Sequence, residues 1–121
     1  MSMSSNWSES ISIVDLSDEP AFSDDVAALI DRLAAAEPAR VPHVVLNFGN
    51  VTYVNSANLA QLLRLRKRLV ECSKILKICS VTDEVWSVFQ VTGLDKVFRF
   101  APDPGTALAS LQIEDTKPPK R

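Results

Sequence analysis

Ser56 stands where a β-type run, "VTYV" at 51–54, gives way to the amphipathic run "ANLAQLLRLRKRLVE". Asn and Ser are the preferred residues for starting a helix, so Asn55 or Ser56 is expected to cap it. A strand-to-helix turn at the C-terminal edge of an open α/β sheet also exposes its side chains, and such sheets place their sites there. A phosphate on Ser56 would bring about −1.5 to −2 charges to free N–H groups and a favourable helix dipole. The helix would tolerate it, whereas a partner packed over the turn would have to bury or repel a dianion. A phosphoserine at this position would act as an interface switch, while the plainer reading keeps Ser56 as a structural helix cap.

Ser56 as a covalent nucleophile lacks a base. His43 is the only histidine, and it opens the preceding strand at the opposite end of the sheet from the turn. One histidine with two cysteines, Cys72 and Cys79, does not build a zinc site or a disulfide framework. The cysteines read as reduced, half-buried fillers and His43 as structural, so no metal, cofactor or catalytic residue is expected.

Net charge is −2 over 121 residues, unevenly placed: −6 in residues 1–42 and +4 in 43–121. The basic cluster "RLRKR" at 64–68 is too small and too poor in aromatics to argue for nucleic acid. No apolar run reaches the roughly 18 residues of a membrane span, and "MSMSSNWSES" lacks signal-peptide character, so a cytoplasmic protein without membrane insertion is expected.

The elements that would position Ser56 follow from periodicity. "SISIVDLS" (10–17) reads as a strand ending in the turn-prone "SDEP". Ser23 then caps a helix from about 23 to 36, closed by Pro38. "HVVLNF" (43–48) suits a central strand buried on both faces, with "VTYV" as its extension. The helix after Asn55 or Ser56 would bury Leu59, Leu62, Leu63, Leu69 and Val70.

"KILKICSV" (74–81) is the third strand. Thr82 caps a third helix with core residues Val85, Val88 and Phe89 and a Gly93 end. "KVFRF" is a last strand and "DPGTALASLQ" (103–112) a last helix. Alternation of strand and helix implies an α/β fold: one small, open, mainly parallel sheet with four helices. Residues 1–9 are expected to be a flexible N-terminus, 10–113 the domain and 114–121 a disordered tail.

Arg66 projects into the apolar arc of its helix. A stem on the core edge with the head reaching water is the first reading, and a pair with buried Asp15 or Asp95 the alternative. Trp86 and Phe89, at helical spacing, read as core, with Trp86 partly exposed.

"HVVLNFGNVTYVNSANLAQLLRLRKRL" and "ILKICSVTDEVWSVFQVTGLDKVFRFAPDPGTAL" together resemble the STAS family, the domain of bacterial anti-sigma factor antagonists, from about Pro42 to Leu111 and more loosely back to Ile11. "VTGLDKVF" is one signature and the turn after "VTYV" the other. The resemblance implies a protein that regulates transcription by binding an anti-sigma factor that is also a serine kinase, and that lets go when phosphorylated. Asn55 stands at the family's Asp, Ser56 at the phosphorylated residue, Ala57 at the next Ser or Thr and Asn58 at the Gly. Since Asn tolerates positive φ, the turn is expected to keep its shape.

The expected partner contacts are Asn55, Ser56, Ala57, Asn58 and Gln61, with Arg64 and Arg68 as rim charges that steer an acidic partner. The rival reading is a non-phosphorylated STAS adaptor of a transporter or another signalling complex. A homodimer is compatible with either.

Overall fold

The computed structural model describes residues 11–116. Four parallel strands lie in chain order: β1 (Ile11–Ser17), β2 (His43–Asn50), β3 (Leu76–Cys79) and β4 (Arg99–Ala101). The helices are α1 (Ala21–Ala35), α2 (Ser56–Glu71), α3 (Asp83–Thr92) and α4 (Pro104–Thr116), with short 3-10 turns at Pro38–Arg40 and Leu94–Lys96.

Consecutive parallel strands joined by crossovers of one hand put the connecting helices on one face of the sheet. Accordingly Val14, Leu16, Val44, Leu46, Phe48, Leu76 and Ile78 meet apolar residues of α1, α2 and α3 in the main core. The alternate residues Ile11, Val45 and Cys79 face α4, through Ala107 and Leu111, in a smaller core. The β2 residues His43–Leu46 are all buried, as a strand covered on both sides must be. A run of rings crosses the main core, with Phe48 6.4 Å from Phe89 and Phe89 5.1 Å from Phe100, which in turn meets Trp86 edge-on at 5.0 Å. Trp86 is half-buried and Phe89 fully buried, as their spacing predicts.

Several boundaries differ from the sequence reading. α1 begins at Ala21, and Ser23 lies inside its first turn. Its backbone N–H donates to Glu19 Oε1 at 3.1 Å, so the carboxylate upstream does the capping that Ser23 was expected to do. α1 ends at Ala35, and Pro38 opens the following 3-10 turn. β4 starts only at Arg99, because Leu94–Lys96 form a 3-10 turn after Gly93, whose φ of 78° ends α3.

"VTYV" is not an extension of β2. The register slips between Asp15 and Ser17, Gly49 N–H donates to Asn47 Oδ1 at 3.0 Å, and Val51 N–H turns back to the Phe48 carbonyl at 2.9 Å. The chain leaves the sheet there. Thr52 is then held by Asp18, whose Oδ1 accepts its N–H at 2.8 Å and whose Oδ2 accepts its hydroxyl at 2.7 Å.

The buried stripe of α2 is Leu59, Leu62, Leu65 and Leu69, with Leu63 and Val70 exposed on its flank. Arg66 is half-buried and pairs with neither Asp15 nor Asp95. Cys72 and Cys79 are free thiols, buried rather than half-buried; burial first, then the charges of Asp103 and Asp15, pushes the Cys79 thiol above its ordinary value. His43 is buried, and its Nδ1 accepts the Ile75 N–H at 3.0 Å, serving the backbone where β3 begins.

α4 is capped by Asp103, whose Oδ1 accepts the Thr106 N–H at 2.7 Å, and its backbone runs to Thr116, past the expected start of the tail at 114. The expected flexible N-terminus, 1–9, and the rest of the tail, 117–121, lie outside the described residues.

Candidate functional site

All four strands point their C-terminal ends at one edge, and the loops leaving β1 and β2 meet there. Asn55 is the cap of α2: its backbone is extended and its Oδ1 accepts the Asn58 N–H at 2.8 Å. Asn58 returns the bond, its Oδ1 accepting the Asn55 N–H at 3.0 Å. Two donors that a helix start leaves unpaired are thus satisfied by a reciprocal box built from two asparagines.

Ser56 is therefore not the cap. It is the first residue of α2, exposed, and its hydroxyl makes no hydrogen bond to a described residue. Ala57 beside it is exposed too. A modifying group can reach the Ser56 hydroxyl without breaking a bond within the described residues, while the cap that holds the turn rests on other side chains.

Asn58 takes no left-handed conformation; the non-glycine residues with positive φ are Ser73 and Ser80 among those described. It is 1% exposed, and its side chain turns inward. Its amide donates to Glu19 Oε2 at 2.5 Å, and the Ser23 hydroxyl donates to the same oxygen at 2.5 Å. Gln61 completes the bridge, its amide donating to the Ser23 carbonyl at 3.2 Å. The first turns of α1 and α2 are thereby tied by Glu19, Ser23, Asn58 and Gln61.

These bonds favour the charged carboxylates. The Ser23 hydroxyl first, then the Asn58 amide, holds Glu19 below its ordinary value of 4.5. The Thr52 backbone N–H first, then its hydroxyl, holds Asp18 below its ordinary value of 3.8.

The seven expected contact residues thus separate into two groups. Ser56, Ala57 and Arg64 face solvent, and Asn55 is exposed while capping. Asn58 and Gln61 turn toward α1, and so does Arg68, whose Nε donates to the Leu33 carbonyl at 3.1 Å and Nη2 to that of Ala36 at 3.0 Å. Arg68 thus serves two carbonyls at the end of α1, of which that of Leu33 also accepts the Ala36 N–H at 3.3 Å. Tyr53, 49% exposed just before the turn, adds an aromatic surface that sequence reasoning had placed in a strand. Glu19, Asp18 and Thr52 were also missed; the only local hint was the pair of carboxylates in "SDEP".

His43 lies at the far end of β2, seven residue steps from Asn50 and about 23 Å from that edge. Among the described residues no group of three His, Cys, Asp or Glu side chains is placed to hold a metal ion, and no helix is long and apolar enough to cross a membrane.

A four-stranded parallel sheet with three helices on one face and a fourth on the other, presenting a capped strand-to-helix turn at its C-terminal edge, is the STAS architecture. The chain belongs to the STAS domain family, whose model matches residues 8–107. Its fold is similar to that of an anti-sigma-factor antagonist (STAS) domain protein from Planctomyces limnophilus, at 19% identity and a TM-score of 0.76 over 91% of this chain and 97% of that one. RsbS of Moorella thermoacetica, in a variant with serine replaced by glutamate, is similar at 10% identity and a TM-score of 0.79, covering 97% and 100%. The anti-sigma factor antagonist SpoIIAA in its unphosphorylated form is similar at 14% identity and a TM-score of 0.72, covering 97% and 100%.

Proposed function

We propose that this chain is a cytoplasmic anti-sigma factor antagonist that binds a kinase-type anti-sigma partner over the α2 turn and is released by phosphorylation of Ser56. It works by binding and carries no catalytic group of its own. The observation that carries this reading is the division of labour at the turn: Asn55 and Asn58 do the capping, and the Ser56 hydroxyl is left exposed and unbonded. The STAS fold supports it, as does the description of one similar protein by its phosphorylation state.

A phosphate on the first residue of α2 meets a favourable dipole, so the domain keeps its fold while its surface gains a dianion. The partner then faces a charge it must desolvate, which costs several kcal/mol.

The test is intact mass after incubation with Mg-ATP and a lysate of the source cells. One phosphate on the wild type and none on Ser56→Ala is expected, and Ser56→Asp is expected to bind the kinase-type partner at least tenfold more weakly than Ser56→Ala. Equal binding by the two variants would end the switch reading. The specific feature favouring the rival, an adaptor that is never phosphorylated, is Asn55 in place of the family's acid; a wild type that gains no phosphate under several growth conditions supports it.

A further inference from the structure

The opposite end of α2 carries a second feature. A cleft of 90 Å³ opens between the C-terminal half of α2, the loop to β3 and the start of β4. Arg66, Lys74 and Arg99 line it, over a floor that includes Leu69, Leu76 and Val97. No carboxylate of a described residue lines it.

Arg66 and Lys74 set two positive charges on a partly enclosed cleft, and an anion seated between them relieves their repulsion. Arg66 is half-buried and makes no hydrogen bond or ion pair to a described residue, so its planar fork of donors is available to an oxyanion. The Lys74 ammonium is fixed by donating to the Val41 carbonyl, which holds its charge at the rim. A cleft of this size holds several waters and so has room for a single tetrahedral anion.

We propose that this cleft binds the phosphate group of a small phosphate monoester, with Arg66 as its main ligand and a short apolar portion of the molecule on the Leu69, Leu76 and Val97 floor. The site is separate from the α2 turn. Arg66 follows Ser56 by ten residues, about 15 Å along the helix, so the inference stands whether or not Ser56 is a switch. The monoester could be a free soluble molecule or the head group of phosphatidic acid, and the chemistry recognised is the same.

Amide chemical shifts of the full chain during titration with inorganic phosphate and with butyl phosphate, at constant ionic strength, test the proposal. Shifts confined to residues near 66, 74–76 and 97–99 are expected, with butyl phosphate binding several-fold more tightly because it also covers apolar surface. Arg66→Gln is expected to weaken both on the order of tenfold. Arg99→Gln provides a second test should Arg66→Gln fail to fold. A parallel sedimentation arm uses phosphatidylcholine vesicles with and without phosphatidic acid. Vesicle binding that needs both phosphatidic acid and Arg66 assigns the site to a lipid head group, and binding of the soluble ester alone to a free ligand. The proposal is overturned by shifts that centre on residues 55–58, that survive both substitutions, or that do not appear.

Discussion

The side-chain amide of Asn58 donates to the carboxylate of Glu19, thirty-nine residues earlier, while its oxygen caps the Asn55 N–H. One buried side chain thus closes the first turn of α2 and fastens it to the start of α1. Asn58→Asp would keep the capping oxygen but set a second carboxylate against Glu19. We expect a loss of about 2 kcal/mol at neutral pH, from one missing hydrogen bond and the repulsion. Repulsion raises the folded pKa of the new acid above its unfolded value, so stability is recovered as pH falls. Thermal unfolding of Asn58→Asp should therefore improve from pH 7 to pH 5, over which the wild type should stay level.

The wild type should lose stability only in stronger acid. Asp18 and Glu19 have folded pKa values below the ordinary 3.8 and 4.5. Their contribution is fully present above those ordinary values and is lost as pH falls through the lower folded ones. The unfolding midpoint should start to drop below about pH 5. The Asp18→Asn and Glu19→Gln double variant should be less stable than wild type at pH 7 and converge with it toward pH 2; a constant gap would remove these carboxylates from the acid limb.

The strands, helices and caps that were legible in the sequence are those specified locally. Thr82, Gly93 and Asp103 each act within four residues of themselves, and the alternation of Ile11 to Leu16 and the continuous burial of His43 to Leu46 follow from strand position alone. The phase of α2 was off by a small rotation. The stripes through Leu63 and through Leu65 are neighbours on a helical wheel, and the position of α1 decides between them. "VTYV" has strand propensity, yet Asp18 from another loop takes the Thr52 N–H that a strand would have used. The inward half of the candidate site was invisible for the same reason: Asn58 meets Glu19 and Gln61 meets Ser23 across separations of 39 and 38 residues that no local pattern encodes.

Ser73 ends α2 in a conformation that suits glycine. Its φ is 60°, its N–H donates to the Val70 carbonyl at 3.0 Å, and the Lys74 N–H donates to that of Leu69 at 2.8 Å, the paired bonds of a left-handed helix end. A residue with a Cβ is strained there by about 1–2 kcal/mol. Glycine removes that strain but loses more entropy on folding, which returns part of the gain. Ser73→Gly should therefore stabilise by about 0.5–1 kcal/mol, seen as a midpoint higher by about 2–6 °C in calorimetry. A lower midpoint would mean that the Ser73 side chain contributes more than the strain costs.

Arg64 and Arg68 lie one helical turn apart and look interchangeable in "RLRKR", yet their surroundings assign them different work. Arg68 donates to the Leu33 and Ala36 carbonyls and has Glu71 3.8 Å away, whereas Arg64 is exposed on the side of α2 that continues from Ser56. Truncating Arg68 to Met should cost about 1–2 kcal/mol, because two α1 carbonyls lose a charged donor while the apolar stem is kept. Reversing Arg64 to Glu should leave the unfolding midpoint within about 0.5 kcal/mol of wild type, as exposed substitutions do. In the proposed complex it should instead slow association with an acidic partner, and the difference should shrink as salt is raised, because rim charges act mainly on encounter. Stopped-flow association and thermal unfolding of both variants separate the two roles. If Arg64→Glu destabilises the domain, or Arg68→Met slows association without destabilising it, the assignments must be exchanged.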